Sequence, residues 1–199
     1  MRNPADYENR RLLAAITGVM LTLAVILTLY VYDRGRPKPE TFQELSNRAF
    51  SVMDEDLAAA LALLDEAIRA EPGNPLGYTN KAVLLSRQEL YEDAANAIGR
   101  AIRLRPDKPE WYQFQGKCLK KTGRAEESRK AYEKALALYD VRVKEEPKSF
   151  DLRYQRERTA DLLGDTEAIN RLINDLPKYD NPPSATQVRT MMQLDTGQR

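Results

Sequence analysis

The chain has no histidine and one cysteine, Cys118, in 199 residues. The first absence removes the commonest metal ligand and general base, and with it every Ser-His-Asp or Cys-His device. A single cysteine cannot form an intramolecular disulfide. Nor is there a surplus of either charge: 31 Lys+Arg stand against 30 Asp+Glu, a formal net charge of +1. That balance argues against a general nucleic-acid binder, which would show a basic excess. Phosphate-cradling glycine loops and dinucleotide fingerprints are missing too. Asp54, Glu55 and Asp56 lack the glycine and spacing of a calcium loop and suit the start of a helix instead. Lys117, Lys120 and Lys121 flank Cys118 and could lower its thiol pKa. No base accompanies that thiol, so the expected protein is not an enzyme and carries no cofactor or metal; a carboxylate or Cys118 centre is the remote alternative.

What is present begins with one long apolar run. Leu12 to Tyr32 carries no charge and is hydrophobic throughout except at Thr17, Gly18, Thr22 and Thr28, with Arg10 and Arg11 before it and Tyr30 and Tyr32 at its far edge. As a helix it would span about 31 Å, close to a bilayer's roughly 30 Å hydrocarbon core. A cleaved secretory signal is shorter and ends in small residues, whereas this run ends Tyr-Val-Tyr-Asp-Arg. The sequence therefore predicts an N-terminal flank (1–11), a transmembrane helix (12–32) and a Pro/basic spacer (33–40) ahead of the main body. The arginine pair favours a cytoplasmic N-terminus. Ala14, Gly18 and Thr22 form a small-residue row that could seat a second copy weakly, or simply reflect the usual composition of membrane helices.

The body carries an internal repeat with a period of about 34 residues, in the range that marks stacked helical units. Ala67, Ala101 and Ala135 are spaced by it, as are Pro72 and Pro106, Tyr78 and Tyr112, Ala82 and Gly116, Leu85 and Leu119, and Leu64, Ile98 and Tyr132. Each unit reads as two amphipathic helices: Pro75 to Arg87 carries Leu76, Tyr78, Val83, Leu84 and Leu85, and Tyr91 to Leu104 carries Ala94, Ala97, Ile98, Ala101, Ile102 and Leu104. Small residues at 82, 94, 101 and 116 let paired helices approach closely, and the prolines turn the chain into the next unit. The interval from Gly123 to Gly164 exceeds the period by two helical turns, so the helix from Ala125 is expected to run on by that much, to about Glu146.

On these columns the chain resembles a tetratricopeptide repeat protein, best over 75–108 and 109–142, with degenerate units before and after. Lys81 and Gln115 depart from a column that the family usually fills with leucine, and Asp140 from its closing proline. The resemblance implies an all-α, right-handed solenoid over 41–180, here following one transmembrane helix. A tail (181–199) holds a segment, Ser184 to Leu194, that could be a closing helix, a partner-binding helix or disordered.

Charge is polarised along the array: residues 39–97 hold 11 acidic and 4 basic side chains, and residues 98–134 hold 5 acidic and 11 basic. The family's first helices face a concave groove, which by that implication holds Asn80, Arg87, Lys117, Lys120 and Lys121. Such a groove would draw an acidic segment or C-terminal carboxylate of another protein, or be an ordinary solvated face. Val83 stands where the family's chaperone-tail clamp wants asparagine, so that ligand is not implied. The expectation is a membrane-anchored protein–protein interaction adaptor or assembly factor, in the bacterial inner membrane with its repeats periplasmic. An immunity or inhibitor protein acting on a toxin or enzyme is the alternative. No nucleic-acid partner is expected.

Overall fold

The computed structural model describes residues 16–30, 40–179 and 182–196. The chain divides into two compact units, residues 1–40 and Thr41–Arg199.

In the first unit the described residues are a helix, α1, over 16–30. The expected transmembrane helix over 12–32 is not found; its residues 12–15 and 31–32 lie outside the described residues. Among the described residues no helix is long and apolar enough to cross a membrane. The membrane span, its orientation, and the placement of the repeats in the periplasm of a bacterial inner membrane are accordingly not upheld. Arg10, Arg11, Ala14, Tyr32 and nearly all of the Pro/basic spacer lie outside the described residues. Of the small-residue row, a Cβ on Gly18 would meet open space, and the Thr22 hydroxyl donates to its own helix at the Val19 carbonyl (2.7 Å).

In the second unit every described element is helical: α2 (Phe42–Val52), α3 (Leu57–Ala70), α4 (Pro75–Arg87), α5 (Tyr91–Leu104), α6 (Pro109–Lys121), α7 (Ala125–Glu145), α8 (Phe150–Leu162), α9 (Ala168–Asp175), a 3₁₀ turn at Leu176–Lys178, and α10 (Ala185–Thr196). Each packs chiefly on its sequence neighbours, with α4 on α5 and α6 on α7 the most extensive pairs, as in an α-solenoid.

Local chemistry sets the helix starts. Thr41 opens α2 with a capping box: the Glu44 N–H donates to the Thr41 hydroxyl (3.3 Å) and the Thr41 N–H donates back to the Glu44 carboxylate (2.8 Å). Asp56 accepts from Ala59 N–H at α3, Asn74 from Leu76 N–H at α4, and Ser149 from Leu152 N–H at α8. Pro75 and Pro109 take first-turn positions, where the missing N–H costs nothing.

The hairpin turns repeat as faithfully as the helices. Leu90 N–H donates to Leu85 C=O (2.9 Å), Arg124 to Leu119 (3.0 Å) and Asp165 to Ala160 (3.0 Å), each closing the same kind of turn at the end of a first helix. That turn needs a left-handed residue: Gly123 (φ 79°) and Gly164 (φ 95°) supply it cheaply, whereas the first regular unit uses Glu89 (φ 59°).

Inside the hairpins, the small-residue column faces a large one. Ala82 is fully buried and Ile98 nearly so; at the same two columns of the next unit, Gly116 meets Tyr132. A Cβ on Gly116 would lie 2.7–3.0 Å from three Tyr132 ring atoms, so glycine makes room for the aromatic ring. Leu76, expected on the apolar face of α4, is half exposed; its neighbour Gly77 is the residue that meets Ile68 and Phe42. α10 packs on α9 and the turn after it: Val188 and Met192 are fully buried with Leu172, Leu176 and Tyr179, and Met191 points outward.

Candidate functional site

A cavity of about 530 Å³ lies between α6 and α8, lined by Glu110, Gln113, Phe114, Lys117, Lys120 and Lys121 from α6, Tyr132 from α7, and Arg158 and Leu162 from α8. It adjoins a smaller one of about 210 Å³ through the shared Lys120, Tyr132 and Leu162. Lys117, Lys120 and Lys121 fall at i, i+3 and i+4 of one helix, which puts all three on one face. Their side chains are exposed, and among the described residues none of the three forms an ion pair. The lone carboxylate in the lining, Glu110, is held by the Arg142 guanidinium at 2.5 Å.

Arg158 faces the lysines from α8, steadied by Nη1 donating to the Gln155 side-chain oxygen (3.1 Å) and, more weakly, to that of Gln113 (3.5 Å). Gln113 in turn donates to the Thr159 hydroxyl (2.8 Å), a buried bond tying α6 to α8. Tyr132 is 2% exposed, and among the described residues its hydroxyl has no hydrogen-bond partner. The nearby Ser128 hydroxyl spends its own proton on the Gly116 carbonyl (2.7 Å). Burial pushes the Tyr132 phenol up to about 12, opposed weakly by Ser128 and Arg158, so it stays a neutral donor at ordinary pH.

Of the expected groove residues, the structure brings Lys117, Lys120 and Lys121 together at this cavity and leaves two apart. Arg87 lies against the first hairpin, with Nη1 3.8 Å from Met53 Sδ, and Asn80 is half-buried on α4. Sequence reasoning missed Arg158, yet a signal existed. Arg158 follows Lys117 by the same lengthened interval that separates Gly123 from Gly164, so both hold one repeat position.

Two further cavities, of about 540 and 320 Å³, occupy equivalent places in successive units. Tyr78, Lys81, Leu85 and Asp93 line the first; Tyr112, Gln115, Leu119 and Glu127, each one repeat later, line the second. They account for the two departures from leucine: Lys81 is ion-paired with Asp65, and the Gln115 amide donates to the Ala95 carbonyl (3.4 Å).

Cys118 is buried, and burial pushes its thiol up to about 11, the Ser86 hydroxyl and Lys117 only partly opposing. The neighbouring lysines thus do not make it a reactive thiolate. Among the described residues no group of three Cys, Asp or Glu side chains is placed to hold a metal ion.

Two family models match this helical-hairpin region, one over residues 52–118 and one over 110–140, and both describe the tetratricopeptide repeat. Residues 52–140 are tetratricopeptide repeats. Among curated relatives of this repeat-bearing chain, the STIP1 homolog of Dictyostelium discoideum is 34% identical over 101 residues, 51% of this chain and 18% of that protein. Small glutamine-rich tetratricopeptide repeat-containing protein 2 of Mycosarcoma maydis is 27% identical over 104 residues, 52% of this chain and 29% of that protein. The chain therefore spans less than a third of the length of either relative. Among solved structures, a chain of the CopN-Scc3 complex superposes with a TM-score of 0.52 at 19% identity, covering 61% of this chain and 68% of that one, and so shares the fold.

Proposed function

We propose that the protein is a tetratricopeptide-repeat adaptor whose groove between α6 and α8 binds an acidic segment, or the C-terminal carboxylate, of another protein. The observation that carries this reading is the convergence of Lys117, Lys120 and Lys121 with Arg158 on one cavity, the three lysines having no ion pair among the described residues. A cavity of about 530 Å³ falls within the roughly 300–1,000 Å³ of ordinary ligand sites. Its wall is cationic and its floor, Phe114, Leu162 and the Tyr132 ring, is apolar, which suits a segment carrying an anionic group next to a large apolar side chain. Unpaired exposed cations raise the encounter rate with such a segment and confer sensitivity to salt.

The test uses the full chain as bait, beside a variant with Lys117, Lys120 and Lys121 all changed to Glu. A protein held by the parent chain, released as ionic strength rises and not recovered by the variant, is the expected result. Recovery unchanged by the triple reversal removes the groove from the interaction.

A further inference from the structure

The cavity between α6 and α8 offers more cationic and donor capacity than one carboxylate can use. Three lysines and an arginine line it, and its single lining carboxylate is already held by Arg142. A carboxylate brings one negative charge and two oxygens, whereas a phosphate monoester brings about −1.5 to −2 and three terminal oxygens. The donors come from opposite sides, Lys117, Lys120 and Lys121 on α6 and Arg158 on α8, an arrangement that suits a tetrahedral anion better than a planar one. Arginine's planar fork is also well matched to phosphate oxygens. The Tyr132 hydroxyl is buried in the same lining with no acceptor for its proton among the described residues. Leaving such a donor unsatisfied is costly, and an oxygen of a bound anion would relieve it. Beneath the cations, Phe114 and Leu162 supply apolar surface for whatever carries the ester.

We propose that this cavity is a phosphate-monoester site, and that the group seated among Lys117, Lys120, Lys121 and Arg158 is a phosphorylated side chain of the partner segment. This narrows the acidic-segment reading and rests on it.

The absence of histidine provides a clean discriminator. The groups facing the cavity are Glu110, Lys117, Lys120, Lys121, Tyr132 and Arg158, with Asp161 beside Lys120 on α8. None is of the side-chain type whose ordinary range falls between about pH 5 and 8. Asp161 is a carboxyl raised above its usual value by burial and by Asp165, with Lys120 opposing. A phosphate monoester loses its second proton near pH 6, so between about pH 7.5 and pH 5 its dianion falls about tenfold while a benzoate stays ionised.

The experiment is calorimetric titration of the full chain at constant ionic strength with phenyl phosphate, benzoate, and a short alanine peptide carrying one phosphotyrosine. Phenyl phosphate is expected to bind more tightly than benzoate and to weaken about tenfold from pH 7.5 to 5. Benzoate binding as well as phenyl phosphate, with no pH dependence, overturns the phosphate site and leaves the acidic-segment reading standing. Failure of phenyl phosphate to bind overturns it whatever the charge-reversal capture shows. The phosphopeptide is expected to bind at least about tenfold more tightly than phenyl phosphate, because flanking backbone adds contacts in the groove. Equal affinity overturns the assignment to a protein segment in favour of a free monoester. Arg158→Gln and, separately, Lys120→Gln should each weaken phenyl phosphate by about tenfold with the helical circular dichroism unchanged. Lys120 is exposed and its replacement leaves no buried group unpaired, so undiminished binding by that variant overturns the location.

Discussion

Replacing Gly116 with alanine tests the packing rule of the hairpins directly. The added Cβ would lie 2.7, 2.8 and 3.0 Å from Cε1, Cδ1 and Cζ of Tyr132, a ring that is itself 2% exposed and backed by the core. Carbon atoms prefer about 3.5–4.0 Å, so the ring or the helix must give by most of an ångström. Overpacking of that kind costs about 1–3 kcal/mol, and three simultaneous close contacts place Gly116→Ala in the upper part of that range. Alanine also recovers about 1 kcal/mol of helix propensity over glycine. The net expectation is a loss of about 1–2 kcal/mol, read as a lower urea midpoint with unchanged slope by far-UV circular dichroism. The preceding unit suggests the compensating change, since Ala82 and Ile98 hold the same two columns there and are buried in one cluster. Tyr132→Ile alone should cost about 2 kcal/mol through the space it leaves. Combined with Gly116→Ala it should cost less than the sum of the two single changes, with a coupling of at least about 1 kcal/mol. A neutral or stabilising Gly116→Ala, or additive single and double variants, would refute the reasoning.

Three further outcomes are expected. Glu89→Gly should raise stability by about 0.5–1 kcal/mol by urea titration, because Glu89 alone among the three equivalent turn residues holds a left-handed φ without being glycine. Glu157→Ala should cost about 3 kcal/mol in the same assay. It strips a carboxylate whose side chain is 3% exposed from Arg156 (3.1 Å), Arg171 (3.0 Å) and Arg153 (3.8 Å). The loss stays at the low end for a broken buried pair because Arg156 keeps Asp140 and Arg171 keeps Asp165. Stability should fall as pH rises above about 10: burial raises the phenols of Tyr132, to about 12, and of Tyr139. The unfolded chain therefore ionises first, removing roughly 1.4 kcal/mol per pH unit for each tyrosine until the folded phenol titrates too.

Much of the fold is legible in the sequence because two independent periods coincide. Apolar spacing marks α3, α4 and α5, and the recurrence of matched columns says that they belong to one kind of hairpin. The long α7 is announced by the missing proline at Asp140 and by the stretched interval between Gly123 and Gly164. The site is only half legible. The three lysines stand out because they share a helix face, but Arg158 is brought to them by a neighbouring helix displaced by two turns, and matching at the regular period passes over it. The same shift places Glu157 at the position of Gly116, where a small residue is expected; the structure accommodates its charge with Arg171 from α9. Arg87 shares the family's groove helix but not its cavity, for its guanidinium settles on Met53. The apolar run at the N-terminus illustrates the opposite limit: hydropathy counts residues, and among the described residues no helix answers to the membrane span that count suggested.

An array of stacked hairpins presents at each end a face shaped to receive one more hairpin, including one from another copy. Head-to-tail contacts of that sort do not close on themselves and propagate as filaments. By seating Val188 and Met192 on Leu172, Leu176 and Tyr179, α10 covers apolar surface that such a neighbour would otherwise meet. The helix thereby keeps the apolar surface of Leu172, Leu176 and Tyr179 from being offered to a second copy.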